Sequence, residues 1–207
     1  MERQGNPREV FDRMRRLIVI RIVHTPSDMG SMREGIEKES RAQVGEARWD
    51  ENQRRIARFW DEVEKEVLGL NLDLKKVRIY QDGLPAAGEL GERIVRETAE
   101  KGSRNYQIIL DLMAGGATIE ATESPKLLIQ EYQNIKAIVE AGTDEQRAAA
   151  SRQYERIKDD LLKARDEFIA RSIGSTLQDG ETGLLFIGAH HNVIPHLDSD
   201  IAVAALD

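Results

Sequence analysis

The sequence predicts an α/β fold, helix-rich, in which a mainly parallel central sheet of four to five strands is covered by helices. Three observations lead there. Short apolar runs recur along the 207-residue chain, at 17–23, 77–80, 118–122, 184–189 and, as a fifth candidate, 201–206. At least 30 residues separate each of the first four runs from the next. The intervening stretches carry helical periodicity. Strands so far apart cannot be hairpin partners; they need crossover connections, which place parallel strands beneath helices.

Each element has its own signal. The run LIVIRIV at 17–23 is β-branched and nearly continuous, as in a strand buried on both faces. The run at 77–80 follows a turn-like segment, TIEAT at 118–122 follows Gly115-Gly116, and LLFIGA at 184–189 follows Asp179, Gly180 and Gly183. Ile56, Phe59, Trp60, Val63 and Val67 repeat at helical spacing, with Asp50 as the expected cap. Ile94, Val95 and Thr98 mark a second helix, and residues 106–113 a third, ended by the glycine pair. Ser124-Pro125 opens a fourth, which Gly142 closes. One long helix is expected over 144–172. The weakly patterned stretch near 29–48 is expected to be a mobile loop or lid. With no repeat, low-complexity segment or linker, residues 1–207 read as a single domain.

Composition removes several function classes. There is no cysteine, which excludes disulfides, thiolate catalysis, zinc–thiolate sites and iron–sulfur ligation. Hydrophobic residues make up 40 % and charged residues 32 %, and no apolar run approaches the roughly 20 residues a bilayer span needs. The first sixteen residues are charged, without the apolar stretch of a signal peptide, so a cytoplasmic location is expected. Net charge is −7 with both signs interleaved, and the small basic group Arg13, Arg15 and Arg16 adjoins Asp12. A nucleic-acid partner is therefore not expected, because phosphate binding needs a concentrated basic face.

What ends each strand is more informative. The first run ends in His24, the second in Gln81-Asp82-Gly83, the third in Glu123 and the fourth in His190-His191-Asn192. Ligands of parallel sheets bind at the carboxyl edge, where the loops splay apart. All four histidines, His24, His190, His191 and His196, fall at or just after two strand ends. Imidazoles beside carboxylates can bind a divalent metal or activate water as a general base. The candidate site is His24, His191, Asp82, Glu123 and Arg165, with His24, His191 and Asp82 as metal ligands. Plainer roles stand beside these: a hydrogen-bonded strand-end histidine, a turn aspartate at Asp82, a glutamate favouring the next helix dipole at Glu123, a salt-bridged Arg165, and a cap at Asp28. His190 and His191 would face opposite sides of a continuing strand, and His196 reads as a surface residue. There is no nucleophile elbow, phosphate-binding loop, dinucleotide fingerprint or H-E-x-x-H pair.

The pattern resembles the TraB/Tiki and erythromycin-esterase-like superfamily. The residues that carry the resemblance are Arg21-Ile22-Val23-His24-Thr25-Pro26, the helical stretch Ala164-Arg165-Asp166-Glu167-Phe168-Ile169-Ala170-Arg171, and Gly188-Ala189-His190-His191, which selects His191 over His190. Two positions depart from the family pattern: Arg21 stands where a glycine is usual, and Asp82 where a glutamate is. The resemblance implies a histidine-lined site on an α/β core and hydrolysis of peptide or lactone-ester bonds, sometimes with a divalent metal. A hydrolase acting on a small molecule or peptide is thus the first expectation. Arg165 would then orient a carboxylate or steady developing negative charge. The alternative is a non-catalytic small-molecule-binding or regulatory module using the same crevice, its charged helices free to form a homo-oligomer.

Overall fold

The computed structural model describes residues 14–25, 28 and 33–206. Five strands form one all-parallel sheet: β1 (Arg15–Ile22), β2 (Val77–Gln81), β3 (Thr118–Ile119), β4 (Thr182–Gly188) and β5 (Ile201–Leu206), in the spatial order β3-β2-β4-β1-β5. The described residues also form seven α-helices: α1 (Arg33–Val44), α2 (Glu46–Gly69), α3 (Gly88–Glu100), α4 (Arg104–Ala114), α5 (Pro125–Val139), α6 (Asp144–Glu155) and α7 (Lys158–Thr176). The helix-rich α/β architecture is the one the sequence predicts. None of these helices is long and apolar enough to cross a membrane.

The continuous apolar runs reflect burial on both faces of the sheet. Ile20, Ile22, Ile79, Leu184 and Phe186 pack with Trp60 and Val63 of α2, Val95 of α3 and Ile109 of α4. The alternate residues Leu17, Val19, Tyr80, Leu185 and Ile187 pack with Ile169, Ala170 and Ile173 of α7. The period-2 alternation of β4 therefore feeds two cores, and all seven of its residues are buried. The connection after β2 leaves over the α3–α4 face. That after β4 passes Val193, which packs on the α7 face. Neighbouring strands whose connections part to opposite faces leave a crevice between their carboxyl ends.

Several sequence-based expectations are corrected. The described part of the 29–48 stretch is helical: α1 runs to Val44 and α2 starts at Glu46, while residues 26, 27 and 29–32 lie outside the described residues. Gly45, at φ 80°, separates the two helices in a conformation that glycine adopts without a Cβ penalty. Asp50 accordingly lies inside α2 and does not cap it. The long 144–172 helix is two. The N–H groups of Arg156 and Ile157 turn back to the carbonyls of Gln153 and Tyr154, which tightens and ends α6 before α7 begins. β3 is only two residues long, so Glu123 follows a loop and not the strand itself. In the expected basic cluster, Arg15 is paired with Asp198 and Asp200, and residues 1–13 lie outside the described residues.

Candidate functional site

The central strands β2, β4 and β1 lie side by side, and each delivers one candidate residue past its carboxyl end. Asp82 follows β2, His191 follows β4 by a turn whose His191 N–H reaches the Gly188 carbonyl at 3.2 Å, and His24 follows β1. Asp82 is the shared point. Its Oδ2 accepts the Gly188 N–H at 3.0 Å and meets His24 Nε2 at 3.1 Å, while His191 Nε2 stands 3.5 Å away. Its Oδ1 accepts from Arg165 Nη2 at 2.8 Å. Both imidazoles thus look at one carboxylate oxygen, although 167 positions separate them in the chain.

Helix α7 contributes two consecutive charges that diverge. Arg165 binds Glu123 through Nε at 3.1 Å and Nη2 at 2.5 Å, and donates Nη1 to Glu131 of α5. Asp166 takes His191 Nδ1 at 2.5 Å and the Asn192 N–H at 2.9 Å. An ionised carboxylate only accepts, so His191 donates Nδ1–H to Asp166, and that bond fixes the ring plane. By the same reasoning His24 donates Nε2–H to Asp82, which leaves Nδ1 as the nitrogen able to accept. Below this set, Asn105 Nδ2 donates to Gln81 Oε1 at 3.0 Å, and Gln81 Nε2 to the Asp82 carbonyl at 2.9 Å.

The electrostatics follow from burial and neighbours. Burial alone would raise the Asp82 carboxyl, but the His24 hydrogen bond and the charges of His191 and Arg165 hold it well below the usual carboxylate range. Burial raises the Glu123 carboxyl to about 7, against the pull of Arg165. Burial works against protonating His24, and the Asp82 hydrogen bond and charge outweigh it, so its pKa lies above the ordinary 6.5. The two histidines differ in access. The side chain of His24 is 34 % exposed, that of His191 5 %.

His24 opens onto a cleft of about 550 Å³ between the end of β1 and helices α1 and α2, lined by Val23, Val44, Trp49 and Phe59 among others. Next to it lies a second hollow of about 340 Å³ that shares Thr25, Trp49, Gln53 and Ile56 with the first.

All five candidate residues therefore converge, with qualifications. Arg165 does not face a ligand: its side chain is 7 % exposed and its guanidinium is taken by three carboxylates, so the expectation that it receives a substrate carboxylate is not met. The donor atoms that come within 4.8 Å of one another belong to Asp82, Glu123 and His191, a buried group that could hold a metal ion; His24 is not part of it. Carboxylate and imidazole are a suitable donor set for a divalent transition metal. Both carboxylates, however, already accept Arg165 N–H groups, so a cation would have to displace a guanidinium. His190 and His196 are exposed and apart from this group. Asp28 accepts from the Thr25 N–H and hydroxyl and from the Ser103 hydroxyl that caps α4, tying the segment after His24 to that helix.

Two residues escaped the sequence reading. Asp166 stood in the helical stretch that carries the resemblance, without a role assigned to it. Arg21, a departure from the family pattern, donates Nη1 to the carbonyls of Gly188 at 3.2 Å and His191 at 2.9 Å, clamping the turn that carries His191. Gly188 is closely approached: a Cβ there would lie 3.1 Å from both Asp82 Oδ2 and His24 Nε2, so those side chains would have to give by a few tenths of an ångström. No family model matches this chain, and no match is found among curated proteins or solved structures.

Proposed function

We propose that the protein is a hydrolase in which His24, held by Asp82, is the general base. The observation that supports this reading is the pair of imidazoles on one carboxylate oxygen, of which only His24 reaches an open cleft. With Nε2–H given to Asp82, His24 Nδ1 takes a proton from water as the oxygen attacks a carbonyl carbon. The imidazolium then returns that proton to the leaving oxygen or nitrogen as its bond to carbon breaks. Asp82 steadies the imidazolium as it forms, and general-base help of this kind is worth about 10²–10⁴ in rate. His191, locked by Asp166, and Arg165 keep the Asp82 carboxylate ionised and aimed.

A second reading has its own support. The approach of Asp82, Glu123 and His191 suits a divalent metal that would lower the pKa of a bound water and supply hydroxide. The Arg165 contacts weigh against it, and the metal-free base is the reading adopted. A third, a non-catalytic binding module in the same crevice, keeps the geometry and drops the turnover.

The test is a panel of ester, lactone and amide substrates assayed with and without a chelator, on wild type and His24→Gln. The expected result is chelator-resistant turnover that the substitution abolishes. Turnover unchanged by His24→Gln overturns the base assignment, and turnover lost to the chelator and restored by metal moves the chemistry to the buried group.

A further inference from the structure

The charge on the cleft beside His24 is one-sided. Val23 and Val44 stand exposed on it, and Trp49, Ile56 and Phe59 line it. Arg55 is the one charged lining residue besides His24. No carboxylate lines the cleft, although the chain carries 37 aspartates and glutamates against 30 lysines and arginines. Arg55 is exposed and makes no ion pair or hydrogen bond among the described residues. A guanidinium offers its donors in a planar fork that matches the two oxygens of a carboxylate, and here the fork is unused.

The neighbouring 340 Å³ hollow has the opposite character. There Arg41 holds Glu37 at 2.9 Å and Glu46 at 3.3 Å, and Arg104 holds Glu64 at 2.6 Å and Asp61 at 3.5 Å, so its cations are already paired. The larger cleft instead sets apolar walls beside one free positive charge. An apolar chain gains by leaving water against those walls. A head group at Arg55 stays in water, because Arg55 itself is exposed, so an anion binds there without the cost of burying its charge.

We propose that this cleft binds an amphiphilic carboxylate: an aliphatic chain against Val44, Trp49 and Phe59, with its carboxylate at Arg55. That the bound molecule is also the substrate rests on hydrolysis at His24. In that reading the substrate is an ester or amide whose aliphatic chain also bears a carboxylate, with the bond to be cut at His24 and the carboxylate at Arg55. Arg55 then sets which molecules fit and takes no part in breaking the bond.

The probes are octanoate, octan-1-ol and octylammonium, one chain with three head groups. The site is read from the Trp49 indole N–H of ¹⁵N-labelled protein, one of two such signals in this chain, assigned with Trp49→Phe. The expected result is a saturable shift of that signal with octanoate. Octanoate binds roughly 2- to 5-fold more tightly than octanol, the worth of a solvent-shared ion pair, and more tightly still than octylammonium. Arg55→Gln removes the advantage of octanoate over octanol. Arg54→Gln and Arg58→Gln, which remove the same charge from exposed positions of α2 outside the cleft, keep it. Octylammonium bound as tightly as octanoate overturns the inference, as does an advantage that survives Arg55→Gln or a Trp49 signal that octanoate leaves unmoved. Octanoate has no bond to hydrolyse, so the two readings fail separately: the expected preference without turnover of any ester supports the binding site and counts against the hydrolase.

Discussion

Two arginines, one near each edge of the sheet, each gather several carboxylates. Near the amino edge Arg78 of β2 holds Glu181 through a two-point contact at 2.9 Å and Glu120 at 2.5 Å, with its side chain 27 % exposed. At the carboxyl edge Arg165 holds Asp82, Glu123 and Glu131 with its side chain 7 % exposed. The residue types match, and the surroundings do not. Near the amino edge water shares the work of solvating the charges, so the cluster is a clasp between strands. At the carboxyl edge Asp82 and Glu123 are closed off from water, so each feels its neighbours strongly: Asp82 stays ionised while Glu123 rises to about 7. Burial is what turns a salt-bridge cluster into a tuned site.

The contrast can be broken or sharpened by substitution. Arg165→Met should have the largest effect. It leaves the buried Asp82 and Glu123 carboxylates, with the part-exposed Glu131 beside them, without their shared cation, and unfolding in urea should show a loss of about 3–5 kcal/mol. A midpoint equal to wild type would show that water already reaches the cluster. His24→Gln should lower turnover by about 10²–10⁴ while leaving the urea midpoint nearly unchanged, since the ring is one-third exposed. Asp166→Asn keeps the shape but replaces one of the two accepting oxygens with an NH2 group, so that either the His191 Nδ1–H or the Asn192 N–H faces a donor, at a cost of about 1–3 kcal/mol. That loss should appear without movement of the amino-edge cluster in amide exchange. Arg78→Met is expected to cost at most about 1 kcal/mol, discounted for solvent screening. A value matching that of Arg165→Met would erase the distinction between the edges.

The pH dependence follows from His24. Its folded pKa lies above 6.5, so the pairing with Asp82 stabilises the fold in full below 6.5 and fades as pH rises through the folded value. Turnover runs the other way, because the base must be deprotonated, and climbs with pH through that same value. Nuclear magnetic resonance titration of the four histidine rings should show His24 above 6.5 in wild type and lowered in Asp82→Asn. An unmoved His24 titration in the variant would disconnect the pair.

Strand-end residues were legible in the sequence because a parallel sheet collects them on one edge whatever the helices between do. That logic brought His24, Asp82 and His191 together; the choice of His191 over His190 came from the family resemblance. Roles were harder to read. Arg165 looked like a substrate contact because a lone arginine on a helix does not reveal how many carboxylates will surround it, and Glu131 sits in a different helix. Asp166 carries no periodic signal; only the fold shows that α7 lays it against a histidine 25 positions later. Helix ends misled where glycine or a tightened turn decided them, as at Gly45 and Arg156.

Gly188 offers a gauge of what selection has preserved at this edge. With no Cβ it lets a carboxylate and an imidazole close over the end of β4, and a methyl at that position would press on both at 3.1 Å. A glycine kept in step with His24 and Asp82 across divergent sequences would record a working pair of groups.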